Sequence, residues 1–152
     1  MGYVDQVLEP DERVVFRTSL SWTVYGRAIG FAVIALALPV LTAGAPGWGP
    51  VVLVASALAS LAGFISFLHA WFRRATTEIA VTDRRVVLKR GFIRRHTVEM
   101  NMQKVESVDV DQSQLGRLFN YGSVTIRGTG TTMERLARID RPLKLRSAIT
   151  AG

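Results

Sequence analysis

Hydrophobic and polar positions follow two different patterns along the chain. Residues 28–72, about 45 in all, contain no Asp, Glu, Lys or Arg, whereas one bilayer-spanning helix needs about 20. The run breaks once, at TAGAPGWGP (42–50), where Pro46, Pro50 and three glycines signal a turn. The pattern predicts two helices, roughly residues 22–41 and 51–71. Neither has the polar face that a helical hairpin in a soluble protein would need. The run starts too far from Met1 for a cleavable signal, and a second span follows it.

After Arg74 the pattern shortens. Residues 77–82, 85–90, 92–100, 105–111, 123–128 and 133–140 are β-branched runs with partial period-two alternation. Turn signals fall between them at Thr82-Asp83, Gly91, Asn120-Tyr121-Gly122 and Gly128-Thr129-Gly130. Pro142 then opens PLKLRSAIT (142–150), a helix start by the first-turn preference of proline. These elements predict an α+β chain. Residues 1–21 form an N-terminal segment, 22–72 a two-helix transmembrane hairpin, and 75–152 a small antiparallel domain capped by a C-terminal helix. Residues 13–20, RVVFRTSL, also have strand character. If they join the sheet, the hairpin is an insertion into the domain and not a simple N-terminal anchor.

Charge orients this arrangement. The formal net charge is +7. Nearly all the excess lies in residues 73–152, where sixteen Lys/Arg face eight acids. Arg13, Arg17 and Arg27 flank the first span, Arg73 and Arg74 flank the second, and the 42–50 loop is uncharged. The positive-inside rule then puts both termini of this multi-pass membrane chain in the cytoplasm. Cysteine is absent, which excludes disulfides, thiol catalysis and thiolate metal sites and suits a reducing compartment. His69 and His96 lie in unlike contexts, so no metal site or cofactor is expected.

Three features are candidate contact sites. Arg84, Arg85, Lys89, Arg90, Arg94 and Arg95 surround Gly91. Near a membrane, each basic residue gains about 1 kcal/mol from anionic headgroups, so membrane lipid is the leading partner. A solvated or subunit-contacting face is the plain alternative, and an acidic protein a further one. Nucleic acid is not expected, because Phe92 is the single stacking aromatic in the stretch. Alternation sends adjacent arginines to opposite faces of a strand, so not all six can share one surface. Leu115, Leu118 and Phe119 form one face of a helical turn, expected to cover the open end of the sheet or else to meet a neighbouring subunit. Ala55, Ala59 and Gly63 line one face of the second span at close-packing spacing, either within the hairpin or between copies. No catalytic residue is expected. Asp109 and Asp111 lack a pocket and a second group, and Gly128-Thr129-Gly130 lacks the Gly-Lys-Ser/Thr ending of a phosphate loop.

The stretch VTDRRVVLKRGFIRRHTVEM, followed by KVESVDVDQSQLGRLFNYGSVTIRGTG, resembles the bacterial membrane-anchored pleckstrin-homology-like (PH) domain family. The T-D-R-R strand opening, the V-E-S-V strand, Q-S-x-L-G-R, the Y-G pair and the G-T-G turn carry the resemblance over roughly 76–150. It implies a curved, half-open barrel or sandwich with a C-terminal helix, tethered to the membrane, and no enzyme. Eukaryotic relatives of the fold often bind phosphoinositides through a basic pattern in their first hairpin. The Lys89-Arg90 and Arg94-Arg95 pairs lack that spacing, so no specific lipid carries over. The expected role is a non-catalytic scaffold or adaptor, or a self-assembling homo-oligomer. The alternatives are a peptide-binding regulatory module or an accessory subunit of a transport or envelope-maintenance complex.

Overall fold

A computed structural model describes residues 7–91, 96–132 and 135–151. The chain separates into two units. One is Trp22–Phe72; the other combines the chain up to Ser21 with the chain from Arg73 onward.

In the first unit, a 3-10 turn at Trp22–Tyr25 leads into α1 (Gly26–Leu41). The connection turns through Gly44 and Gly47, whose φ values of 92° and 83° favour glycine. The second helix, α2 (Gly49–Thr76), is longer than its sequence pattern suggested. Gly49 and Pro50 belong to its first turn, where proline sacrifices no hydrogen bond. Segments Trp22–Leu41 and Gly49–Thr76 are both long and apolar enough to cross a bilayer, with mean hydropathies of 1.9 and 2.3. Their apolar side chains lie largely exposed, the distribution a lipid solvent would favour. The helices meet at Gly63, where a Cβ would come within 3.2 Å of Phe31 Cβ and 3.6 Å of the Ala28 carbonyl. Tyr25 stacks on Phe67 with ring centroids 5.3 Å apart.

The second unit holds two antiparallel sheets. The first has the order β1 (Val14–Thr18), β2 (Glu78–Thr82), β3 (Arg85–Arg90), β4 (His96–Asn101). In the second, β6 (Tyr121–Gly128) pairs with β5 (Val105–Asp111). It also pairs with both β7 (Thr131–Thr132) and β8 (Leu136–Asp140). The half-open arrangement is PH-like, and the described strands do not close into a barrel. Expected runs 92–100 and 133–140 begin in residues outside the described set, and their described parts are β4 and β8.

Residues 13–20 supply β1, so strands on both sides of the apolar helices build one sheet. Phe16 pairs with Val81, Arg17 with Ala80 and Thr18 with Ile79. The chain beyond β1 then stitches the first sheet to the second. Thr18 Oγ1 donates to the Asp140 carbonyl at 2.8 Å, Asp140 N–H to the Ser19 carbonyl at 3.1 Å, and Ser21 N–H to the Arg138 carbonyl at 2.7 Å.

Ile79, Val81, Val86 and Leu88 from the first sheet form the core with Val124, Ile126, Leu136 and Ile139 from the second. The helix α4 (Pro142–Thr150) closes it with Pro142, Leu145 and Ile149, one apolar stripe at helical spacing. Gly122, which has no side chain, lets β6 pass close to the end of β5. A Cβ there would sit 2.8 Å from the Asp111 carbonyl. The accompanying turn conformation falls on Asn120, at φ 54°, while Gly122 lies within β6.

Candidate functional site

Cross-strand register divides the basic run between two environments. Val86 and Leu88 face the core, so Arg85, Val87 and Lys89 take the opposite face of β3 and Arg90 returns to the core side. Arg85 is answered within the domain. Its Nε donates to Glu12 Oε1 at 3.0 Å and its Nη2 to Glu12 Oε2 at 2.8 Å. Nη1 donates to Glu99 Oε2 at 2.8 Å, and Nη2 reaches the Val7 carbonyl at 2.9 Å. The Glu12 side chain is fully buried and also accepts from Thr82 Oγ1 at 2.7 Å and Glu9 N–H at 2.9 Å. The bidentate Arg85 contact outweighs the cost of burial and holds the Glu12 carboxyl at about 2, well below its ordinary 4.5. Glu12 in turn raises the affinity of Arg85 for its proton.

This cluster clamps the N-terminal segment onto the outer face of β3, so Arg85 does not belong with the headgroup candidates. Arg84 stays exposed but pairs with Glu9 at 3.0 Å. Lys89 and Arg90 both keep partial exposure. Arg94 and Arg95 lie outside the described residues.

Arg90 lines a different feature, a cleft of about 460 Å³ shared with Leu20, Arg73, Thr76, Thr77, Gly91, Arg135 and Ala137. Four places in the sequence converge there. Leu20 is the last core residue before the apolar helices. Arg73 to Thr77 end α2 and lead into β2. Arg90 and Gly91 end β3, and Arg135 and Ala137 come from the start of β8. Arg90 Nη2 lies 3.4 Å from the Arg135 carbonyl. Arg135 also makes a 2.7 Å ion pair with Asp111, both side chains largely exposed. No carboxylate is among the described lining residues, so three guanidinium-bearing residues border one opening. In the sequence, Arg73 bears only on the orientation of the span, and nothing local marks Arg135. The discoverable signal was the parity of Arg90 with Leu88, which aims it away from Arg85.

The apolar candidates also part company. Leu115, Leu118 and Phe119, on and just after α3 (Gln114–Leu118), are 60%, 74% and 43% exposed. The expectation that they cover the open end of the sheet does not hold. The α4 stripe covers the core, while Ser113 Oγ accepts the Gly116 N–H to cap α3. In the hairpin, Gly63 is buried against Ala28 and Phe31, so its small size serves packing within the hairpin. Ala55 and Ala59 on the same helix are half-buried. Among the described residues no group of three His, Cys, Asp or Glu could hold a metal ion.

The model of the family described as Bacterial PH domain matches residues 15–151. The chain belongs to the bacterial PH domain family. The match begins within β1 and runs through the apolar helices to the end of α4, so it spans both flanks of the hairpin. No curated protein and no solved structure matches the chain. Membership in the PH domain family supports a non-catalytic module in a bacterial protein whose two apolar helices suggest membrane association.

Proposed function

We propose that this PH domain protein is a non-catalytic scaffold or adaptor anchored in the bacterial inner membrane by α1 and α2, with both termini in the cytoplasm. One observation carries the reading: the chain up to Ser21 and the chain from Arg73 belong to the same folded unit. A chain that leaves a folded body through one apolar helix and rejoins it through the next must cross the membrane an even number of times. The arginines at both flanks and the uncharged turn favour the cytoplasm as the shared side. In this Cys-free chain, Gly47→Cys should react with an impermeant maleimide added to intact spheroplasts, and Ala151→Cys only after lysis. The opposite pattern contradicts the orientation.

The exposed Leu115, Leu118 and Phe119 favour a second role, self-association through the domain, since clustered exposed apolar side chains mark contact surfaces. Light scattering of the chain in mild detergent should then report an oligomer that Phe119→Asp reduces to monomer. A wild-type monomer across a range of protein concentrations contradicts it.

A further inference from the structure

We infer that two copies of this chain join through the free edge of β5, which pairs antiparallel with β5 of the second copy and brings the bare face of α3 into the same contact. The inference rests on the self-association reading above and supplies its interface. β5 pairs with β6 on one side, and no other described strand pairs with it. Its outer side therefore presents backbone donors and acceptors that a further strand can take up. Val108 and Val110 share the core-facing side of β5 but stay only half-buried at this edge, so an added strand also covers apolar surface. Two residues after β5, α3 begins, and its Leu115 and Leu118, with Phe119 just beyond, are exposed. The two unpartnered features are thus adjacent in the chain, and one strand running past β5 meets both.

Charge selects both the direction and the occupant. Asp109 and Asp111 are already answered within the domain, by Arg127 at 3.2 Å and Arg135 at 2.7 Å. Glu106, near the start of β5, and Arg117, on α3, are exposed, and among the described residues neither side chain has a partner. In an antiparallel pair related by a two-fold axis, the start of one β5 lies beside the end of the other. Arg117 of each copy then comes alongside Glu106 of the second copy, and the symmetry makes the contact twice. Parallel pairing would instead set Glu106 against Glu106. A foreign strand would have to bring this pattern of charge, whereas a second copy already carries it. An isologous contact also uses up both free edges, so it closes at two copies and does not propagate as an open sheet. β5 and α3 are fewer residues than the roughly 20–30 per side of a standard interface. Copies confined to one membrane offset that through raised effective concentration.

The test uses the full chain in mild detergent, with the dimer dissociation constant read by analytical ultracentrifugation. Arg117→Glu and Glu106→Arg should each weaken the dimer about tenfold, because each turns two attractive contacts repulsive. Combined in one chain, the two reversals should restore the constant to within about threefold of wild type. Arg146→Glu, an exposed reversal on α4, should change it by less than about threefold. At a concentration where wild type is dimeric and Arg117→Glu monomeric, the amides of β5, Val105–Asp111, should exchange with deuterium more slowly in wild type. Those of β1, Val14–Thr18, should exchange equally in both. Single reversals without effect, or losses that the double variant does not rescue, overturn the interface, and so does equal exchange in β5. All these substitutions are at exposed positions, so the fold is not at stake in reading them. An oligomer that Phe119→Asp dissolves and the reversals leave intact overturns this interface while self-association stands, whereas a wild-type monomer removes both.

Discussion

The two ends of β3 carry arginines five residues apart that do opposite work. At the Arg85 end, the guanidinium is enclosed by Glu12, Glu99 and the Val7 carbonyl, and its charge is spent inside the domain. At the Arg90 end, the side chain has crossed to the other face and borders a cleft with no described carboxylate in its lining. One basic run therefore contains a structural clamp and a candidate contact surface. Strand parity separates the two, together with what the rest of the fold brings to each face.

The two arginines should differ most in what they contribute to stability. Arg85→Ala leaves the buried Glu12 carboxylate without its main partner, and breaking such a pair costs about 3–5 kcal/mol. Glu12→Ala should cost somewhat less, because Arg85 keeps Glu99. Both losses are readable as a lowered unfolding midpoint of the domain in the detergent-solubilised chain. A shift as small as that of a surface substitution would contradict the clamp.

The same pair predicts an acid response. Glu12 has its carboxyl depressed from 4.5 to about 2 in the folded chain, so the folded state holds fewer protons than the unfolded state between those values. The linked stabilisation, on the order of 3 kcal/mol, is complete above about pH 4.5 and is lost as pH falls toward 2. Glu12→Gln should flatten that part of the stability–pH curve. A curve that keeps its acid limb in the Gln variant would assign the loss to other carboxylates. At the far end of the strand, Arg90→Gln should lower the unfolding midpoint less than Arg85→Ala does, because no buried carboxylate is left behind.

Some of this was legible from local pattern alone. The apolar hairpin announces itself through 45 residues without a formal charge, and α4 begins at Pro142 because proline fits a first helical turn. Strands β2, β3 and β5 follow their β-branched runs within a residue or so. The clamp was not legible, since Glu12 and Arg85 are 73 residues apart in sequence and meet only because β1 pairs with β2. Arg135 was hidden for the same reason: its neighbours in sequence say nothing about the end of β3. The Leu115 face misled because three apolar residues at helical spacing look alike whether covered or bare. Periodicity identifies a face but not what lies opposite it.

The apolar hairpin is inserted into the PH domain between β1 and β2. The most direct test replaces residues 22–72 with about eight Gly/Ser residues, a flexible length suited to joining neighbouring ends. This works geometrically because Leu20 and Arg73 line the same cleft. This shortened chain should be water-soluble and unfold cooperatively, while the fragment 75–152, lacking β1 and Glu12, should not. Equal cooperative unfolding of fragment 75–152 would contradict it, because the domain would then be complete without the strand that precedes the spans.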